Sequence, residues 1–173
     1  MASSIQIQGT GQLLDLSRRL RAASGAPVQQ NFQRRIRRAA EPLHRDLVDV
    51  MTNLSITSPG RSAGKRGGPP GTSRPLRRTL AQAIRISVRT SGNPGARVWV
   101  DKGRLPSDLK NMAKALNDEY SGRLRHPVFN NRRRWVNQWV TPLWWTNTVR
   151  QHEARMRAEV QRVTDDVRRD LGG

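Results

Sequence analysis

Hydrophobic and polar positions follow two rhythms along this chain, one of period two and one of three to four, and the switches between them mark the elements. Residues 5–9, IQIQG, alternate and predict a short strand. Beyond Gly11, Leu13, Leu16 and Leu20 share one helical face until Gly25-Ala26-Pro27 breaks the pattern. A longer helix follows. Val28, Phe32, Ile36, Ala39, Leu43, Leu47, Val50 and Leu54 recur at helical spacing, with Arg34, Arg35, Arg37, Arg38 and Arg45 on the opposite face. Pro42 lies inside this pattern and is expected to kink it. The rhythm then changes. Ile84, Ile86 and Val88 alternate with Arg85, Ser87 and Arg89, Gly92-Asn93-Pro94-Gly95 supplies a turn, and ARVWVD returns as the second strand. A third helix is predicted from near Pro106, with Leu109, Met112, Ala113, Leu116 and Tyr120 as its stripe and Ser121-Gly122 as its end. The last helix runs from about Thr146 to Leu171, lined by Val149, Met156, Val160, Val163, Val167 and Leu171.

Between these elements, residues 58–75 are rich in Gly, Pro and Ser and read as a flexible basic loop. Thr72 or Ser73 is placed to cap a short helix through PLRRTLAQA, with Pro75 in its first turn. The chain reads as one domain spanning residues 1–173, with its clearest hairpin at about 84–101 and a long C-terminal helix. A chain of this length buries roughly 70% of the surface its unfolded form exposes, enough for a core.

Charge changes the picture more than length does. Lys and Arg number 32 against 13 Asp and Glu, a formal net charge of +19. Such an excess implies a polyanion or an acidic protein surface as partner. Almost all the cations are Arg, which suits bidentate contact with phosphate or carboxylate, although a GC-rich genome gives the same bias. From Val50 to Val100 no Asp or Glu occurs, while Arg61, Lys65, Arg66, Arg74, Arg77, Arg78, Arg85, Arg89 and Arg97 do. That is a phosphate footprint or a solvated face for an acidic protein, and both readings stand. The six from Arg61 to Arg78 are the candidate DNA- or partner-facing set.

Enzymatic chemistry finds no support in the residues. Gly60-Arg-Ser-Ala-Gly64-Lys65 is one residue short of a phosphate loop, and Arg66 stands where a Ser or Thr should hold magnesium. His44, His126 and His152 lack metal-ligand neighbours at helical spacing, so neither a metal nor a cofactor is expected. There is no cysteine. No apolar run approaches the ~20 residues of a membrane span, and MASSIQIQGT does not read as a secretory signal, so a cytoplasmic protein without membrane contact is expected.

The segment RHPVFNNRRRWVNQWVTPLWW, residues 125–145, is the most unusual. It holds Trp135, Trp139, Trp144 and Trp145, four of the five tryptophans. Pro127 and Pro142 keep it from being one helix, and it reads as irregular. The tryptophans have three readings: core, stacking on single-stranded bases, or anchors of a protein interface. Trp144-Trp145 at the mouth of the last helix also suit a hydrophobic staple.

His126, Pro127, Phe129, Asn131, Arg132, Trp135, Val136 and Trp144, followed by a long amphipathic helix, resemble the tail-completion or head–tail neck family of long-tailed bacteriophages, notably those of actinobacteria. Asn130 stands where the family's run usually has Gly. Upstream, Pro70, Thr72, Leu76, Arg77 and Thr79 echo a second family pattern, with Ser73 in place of its Gly. The resemblance implies one α+β domain, with a small antiparallel sheet (a hairpin at about 84–101 plus one or two short strands) packed by helices that include the long C-terminal one, and a non-catalytic, ring-forming virion subunit at the neck between capsid and tail, present in the host cytoplasm during assembly. Its implied partners are further copies of itself, other neck and connector proteins, tail-terminator and tail-tube proteins, and packaged double-stranded DNA passing non-specifically through the lumen. It also places Phe129, Arg132, Trp135, Trp139 and Trp145 at an interface ordered by ring neighbours; Trp144, beside the start of the last helix, is instead expected in the core, packed back onto Val149 and the third helix. The alternative is a non-specific nucleic-acid-binding protein acting alone.

Overall fold

The computed structural model describes residues 4–8, 15, 18, 26–57, 75–90, 95–117, 122–128 and 131–172. The fold is α+β. Among the described residues the elements run β1 (Ser4–Gln8), α1 (Ala26–Asn53), β2 (Ile56–Thr57), α2 (Leu76–Gln82), β3 (Ile84–Arg89), β4 (Gly95–Val100), α3 (Met112–Leu116), β5 (Arg123–Val128), β6 (Asn131–Val140) and α4 (Trp144–Gly172). The helical stripe at Leu13, Leu16 and Leu20 and most of the 58–75 loop lie outside the described residues.

Helix α1 is the centre. Phe32, Ile36, Ala40, Leu43, Leu47 and Met51 are at most 1% exposed, at the spacing of a single apolar stripe. The helix packs on β3, β4 and α2 and also on α4. Pro42 sits within it and does not end it. A proline here removes one backbone hydrogen bond, at about 3 kcal/mol. Burial of Leu43, Leu47 and Met51 beyond it offsets that cost and carries the helix on to Asn53.

Two small antiparallel sheets are present. The first has the order β1-β4-β3, with Ile86 opposite Val98 and Ile5 opposite Val98 on the other side. The alternation in IRISVR and ARVWV therefore turns Ile84, Ala96, Val98 and Val100 inward, all buried. The expected hairpin at 84–101 and the strand near residue 5 are both present, in one sheet. The second has the order β2-β6-β5.

Helix α4 lies antiparallel to α1. His152 Nε2 is 2.6 Å from Asp46 Oδ2, and Arg35 Nη1 is 3.3 Å from Asp166 Oδ2. Its covered residues include Trp144, Trp145, Thr148, His152, Met156 and Val163, with Val149 and Val160 partly covered. The helix begins two residues earlier than the sequence suggests, at Trp144.

Two expectations are corrected here. The helix predicted from Pro106 is broken into turns at Lys102–Arg104 and Ser107–Leu109 and a short α3. Pro106 holds ψ at 150°, which is extended, and Asn111 (φ −105°, ψ 0°) separates the second turn from α3. Asn117, just past α3, is recruited elsewhere. Its Oδ1 accepts from the N–H groups of Trp145 (2.9 Å) and Thr146 (3.3 Å), capping α4 from a distant part of the chain. The short helix α2 starts at Leu76 after Pro75, without a side-chain cap. Thr72 and Ser73, the expected caps, fall outside the described residues.

Leu47→Ala should destabilise the protein by ~2–5 kcal/mol, because α1 is held from both sides and the site cannot collapse. Arg45→Ala, on the exposed face two residues away, should stay within ~0.5 kcal/mol. Urea denaturation of both variants distinguishes a shared core helix from a peripheral one.

Candidate interaction surfaces

The tryptophan segment is not irregular. Residues 123–140 form a β-hairpin arm, and β6 is ten residues long, about 33 Å. Pro127 is tolerated because it falls on β5, an edge strand, where the register shifts between Pro127 and Val128. The base of the arm is anchored. Leu124 and Val140 are buried, Val140 N–H donates to Gly122 O (2.6 Å), and Ile56 of β2 pairs with Val140. Further out the cover is lost: Arg132, Arg133, Arg134 and Trp135 are all exposed, so neither face of the strand is covered there.

Register decides which side chains meet. Arg123 pairs with Trp139, and Arg125 with Asn137. Directly opposed residues share a face, as do residues two apart, so Arg123, Arg125, Trp135, Asn137 and Trp139 form one outer face. Trp135 and Trp139 are each 49% exposed, large for indole rings. Their Cα positions are about 13 Å apart along the strand. The Arg125 guanidinium sits 5.0 Å from the Trp135 ring centroid, and Trp135 Nε1 donates to Arg132 O (2.7 Å). Such an exposed cation–π contact is worth ~0.5–1 kcal/mol and holds the ring flat against the arm. No Asp or Glu occurs between Glu119 and Glu153.

A second surface has the same composition. The outer face of the first sheet carries Arg85, Ser87 and Arg89 of β3 and Arg97 and Trp99 of β4. Arg97 lies 5.3 Å from the Trp99 ring centroid. Arg77 and Arg78 are exposed on α2, next to this sheet in the chain.

The chain matches no protein-family model, no curated protein and no solved structure. Among the described residues there is no group of three metal-ligating side chains, and no helix is long and apolar enough to cross a membrane.

Of the expected interface residues, Arg132, Trp135 and Trp139 come together on the arm. Trp145 does not; it is 6% exposed and belongs to the core. The reason is the early start of α4: Trp144 and Trp145 occupy its first turn, edge to face at 5.5 Å, and Asn117 pins that turn to the body. Trp144 is core as expected, at 3% exposure. Phe129, Arg61, Lys65, Arg66 and Arg74 lie outside the described residues. Arg123 and Arg125 were missed as site residues. The alternation in Arg-Leu-Arg before Pro127 was the available signal, but only the pairing with β6 shows that they join the tryptophans.

Trp135→Ala and Trp139→Ala should leave the melting temperature of the monomer nearly unchanged, while Trp144→Ala should cost roughly 3–5 kcal/mol. Gly122→Ala should also be disruptive. Gly122 has φ +53°, and an added Cβ would lie 2.5 Å from Val140 O. The left-handed backbone alone costs ~1–2 kcal/mol for an L-residue, before the clash is relieved. Thermal melts and limited proteolysis at the arm would check both; a Gly122→Ala arm as protease-resistant as wild type contradicts the anchoring described.

Proposed function

We propose that the protein is a non-catalytic structural subunit of a bacteriophage head–tail neck, which assembles with copies of itself and encloses a path for DNA. The observation that carries this reading is the arm. Of the residues that resemble the neck family, His126, Pro127, Asn131, Arg132, Trp135 and Val136 fall on a β-hairpin whose outer face bears two half-exposed tryptophans and arginines but no acid. Trp and Arg are the residue types that most often anchor protein interfaces. Exposed apolar area of this kind, rimmed by polar groups, is characteristic of contact surfaces.

DNA is the natural partner of the remaining charge. Arg85, Arg89 and Arg97 face outward from the first sheet, and Arg77 and Arg78 from α2, in a stretch without carboxylates. In a ring such charges multiply with subunit number, so individual contacts need be neither tight nor sequence-specific. The same sheet face favours the second reading, a nucleic-acid-binding protein that acts as a monomer.

Light scattering together with DNA titration separates the two. The neck reading expects the wild-type protein to form a defined oligomer and the Trp135→Ala/Trp139→Ala double variant to remain monomeric at an unchanged melting temperature. A wild type that stays monomeric at all accessible concentrations, yet binds duplex DNA, leaves the second reading instead. In either case, replacing Arg85, Arg89 and Arg97 by Gln should lower the slope of log K against log salt by about 2.7 if all three contact phosphate.

A further inference from the structure

Strand β3 is the edge of the first sheet. The phase of its backbone is fixed by two hydrogen bonds. Asp101 N–H donates to Ala83 O (2.8 Å) on the β4 side, and the His44 ring meets Ile84 O at 3.1 Å on the other side. Since successive residues alternate in direction, Ile86 and Val88 turn their N–H and C=O groups away from β4. Among the described residues no hydrogen-bond partner meets them there. His44 from α1 therefore occupies one end of an edge that the other described residues leave open.

A groove of about 580 Å³ runs along this edge. Val48 of α1, Ala81 of α2, and Ile84 and Ile86 of β3 give it an apolar floor, and Arg37, Arg78 and Arg85 line it from three different elements. None of its lining residues is acidic. The three arginines are brought together only by the fold.

We propose that the groove docks an extended segment of a protein partner that alternates apolar and acidic residues, which adds to β3 as a fourth strand. The edge amides and carbonyls of Ile86 and Val88 supply the main-chain pairing. Apolar side chains of the incoming strand turn inward over Val48 and Ala81, and its carboxylates turn toward the arginines, where charge-assisted, bidentate bonds form. Duplex DNA fits less well, because phosphates offer acceptors only and leave both the edge carbonyls and the apolar floor unused. A second copy of this chain fits less well because its own β5 and β6 carry Arg and no acid. This docking site is independent of the arm, and it shares Arg78 and Arg85 with the surface proposed to face DNA.

The test uses the full chain and a short fluorescein-labelled peptide of alternating Val and Glu, followed by anisotropy. Saturable binding is expected, at least about tenfold weaker in the Arg37→Gln/Arg78→Gln/Arg85→Gln variant and unchanged in Trp139→Ala. Two further peptides carry N-methyl groups either on every Val or on every Glu. One of the two must bind at least about tenfold more weakly than the other, because only one set of amides faces β3. Equal binding of both methylated peptides means charge attraction without strand addition and overturns the proposal. So does the absence of saturable binding, or dissociation of a wild-type oligomer on adding the peptide, which would make the edge a contact between copies.

Discussion

Burial of one stripe of α1, from Phe32 to Met51, is the interaction that the other elements depend on. The helix is about 42 Å long and packs on both the first sheet and α4. Six of its side chains are essentially removed from water. At ~1.5–3 kcal/mol for each large apolar side chain, that stripe supplies enough to tolerate a proline in mid-helix. It also explains why β3 and β4 alternate so strictly: their inner residues have a fixed partner, so a one-residue slip would place Arg85 or Arg97 against leucines.

The positive charge is distributed unevenly for a related reason. On α4, acids and bases neutralise one another at helical spacing, in Glu153–Arg157, Glu159–Arg162 and Asp166–Arg169, and Asp166 also reaches Arg35 of α1. Those exposed pairs contribute little stability each. Their effect is to leave the helical side of the molecule near balance. The net excess of +19 is therefore carried largely by strands and loops. Both sheets show the same device, arginines beside a tryptophan on the solvent face, at 5.0 and 5.3 Å.

The arm and the β3 edge are different kinds of surface. The arm displays side chains, with its main chain paired in the hairpin and its base locked by Gly122 and Val140. The β3 edge displays main chain, with side chains guarding a groove. The two surfaces share no residue. Beyond the arm the chain enters α4, whose first turn follows Leu143 in a left-handed conformation (φ 58°) and carries the Asn117 cap. A strained non-glycine residue at that junction fixes the angle at which the arm leaves the body.

By itself, the sequence determined the helix α1 and its buried face, the 84–101 hairpin, the strand near residue 5 and the long terminal helix, because each rests on local periodicity sampled over several turns or pairs. It also determined the absence of carboxylates on the basic surfaces. It did not determine the arm, since Trp135 and Trp139, four apart, suit a helix as well as a strand, and only pairing with Arg123–Val128 settles which residues share their face. Nor did it determine that Trp145 is covered, since the cap comes from Asn117, 28 residues earlier. The groove of Arg37, Arg78 and Arg85 is likewise tertiary: these residues are far apart in sequence, and only packing α1 and α2 beside β3 brings their charges to one edge.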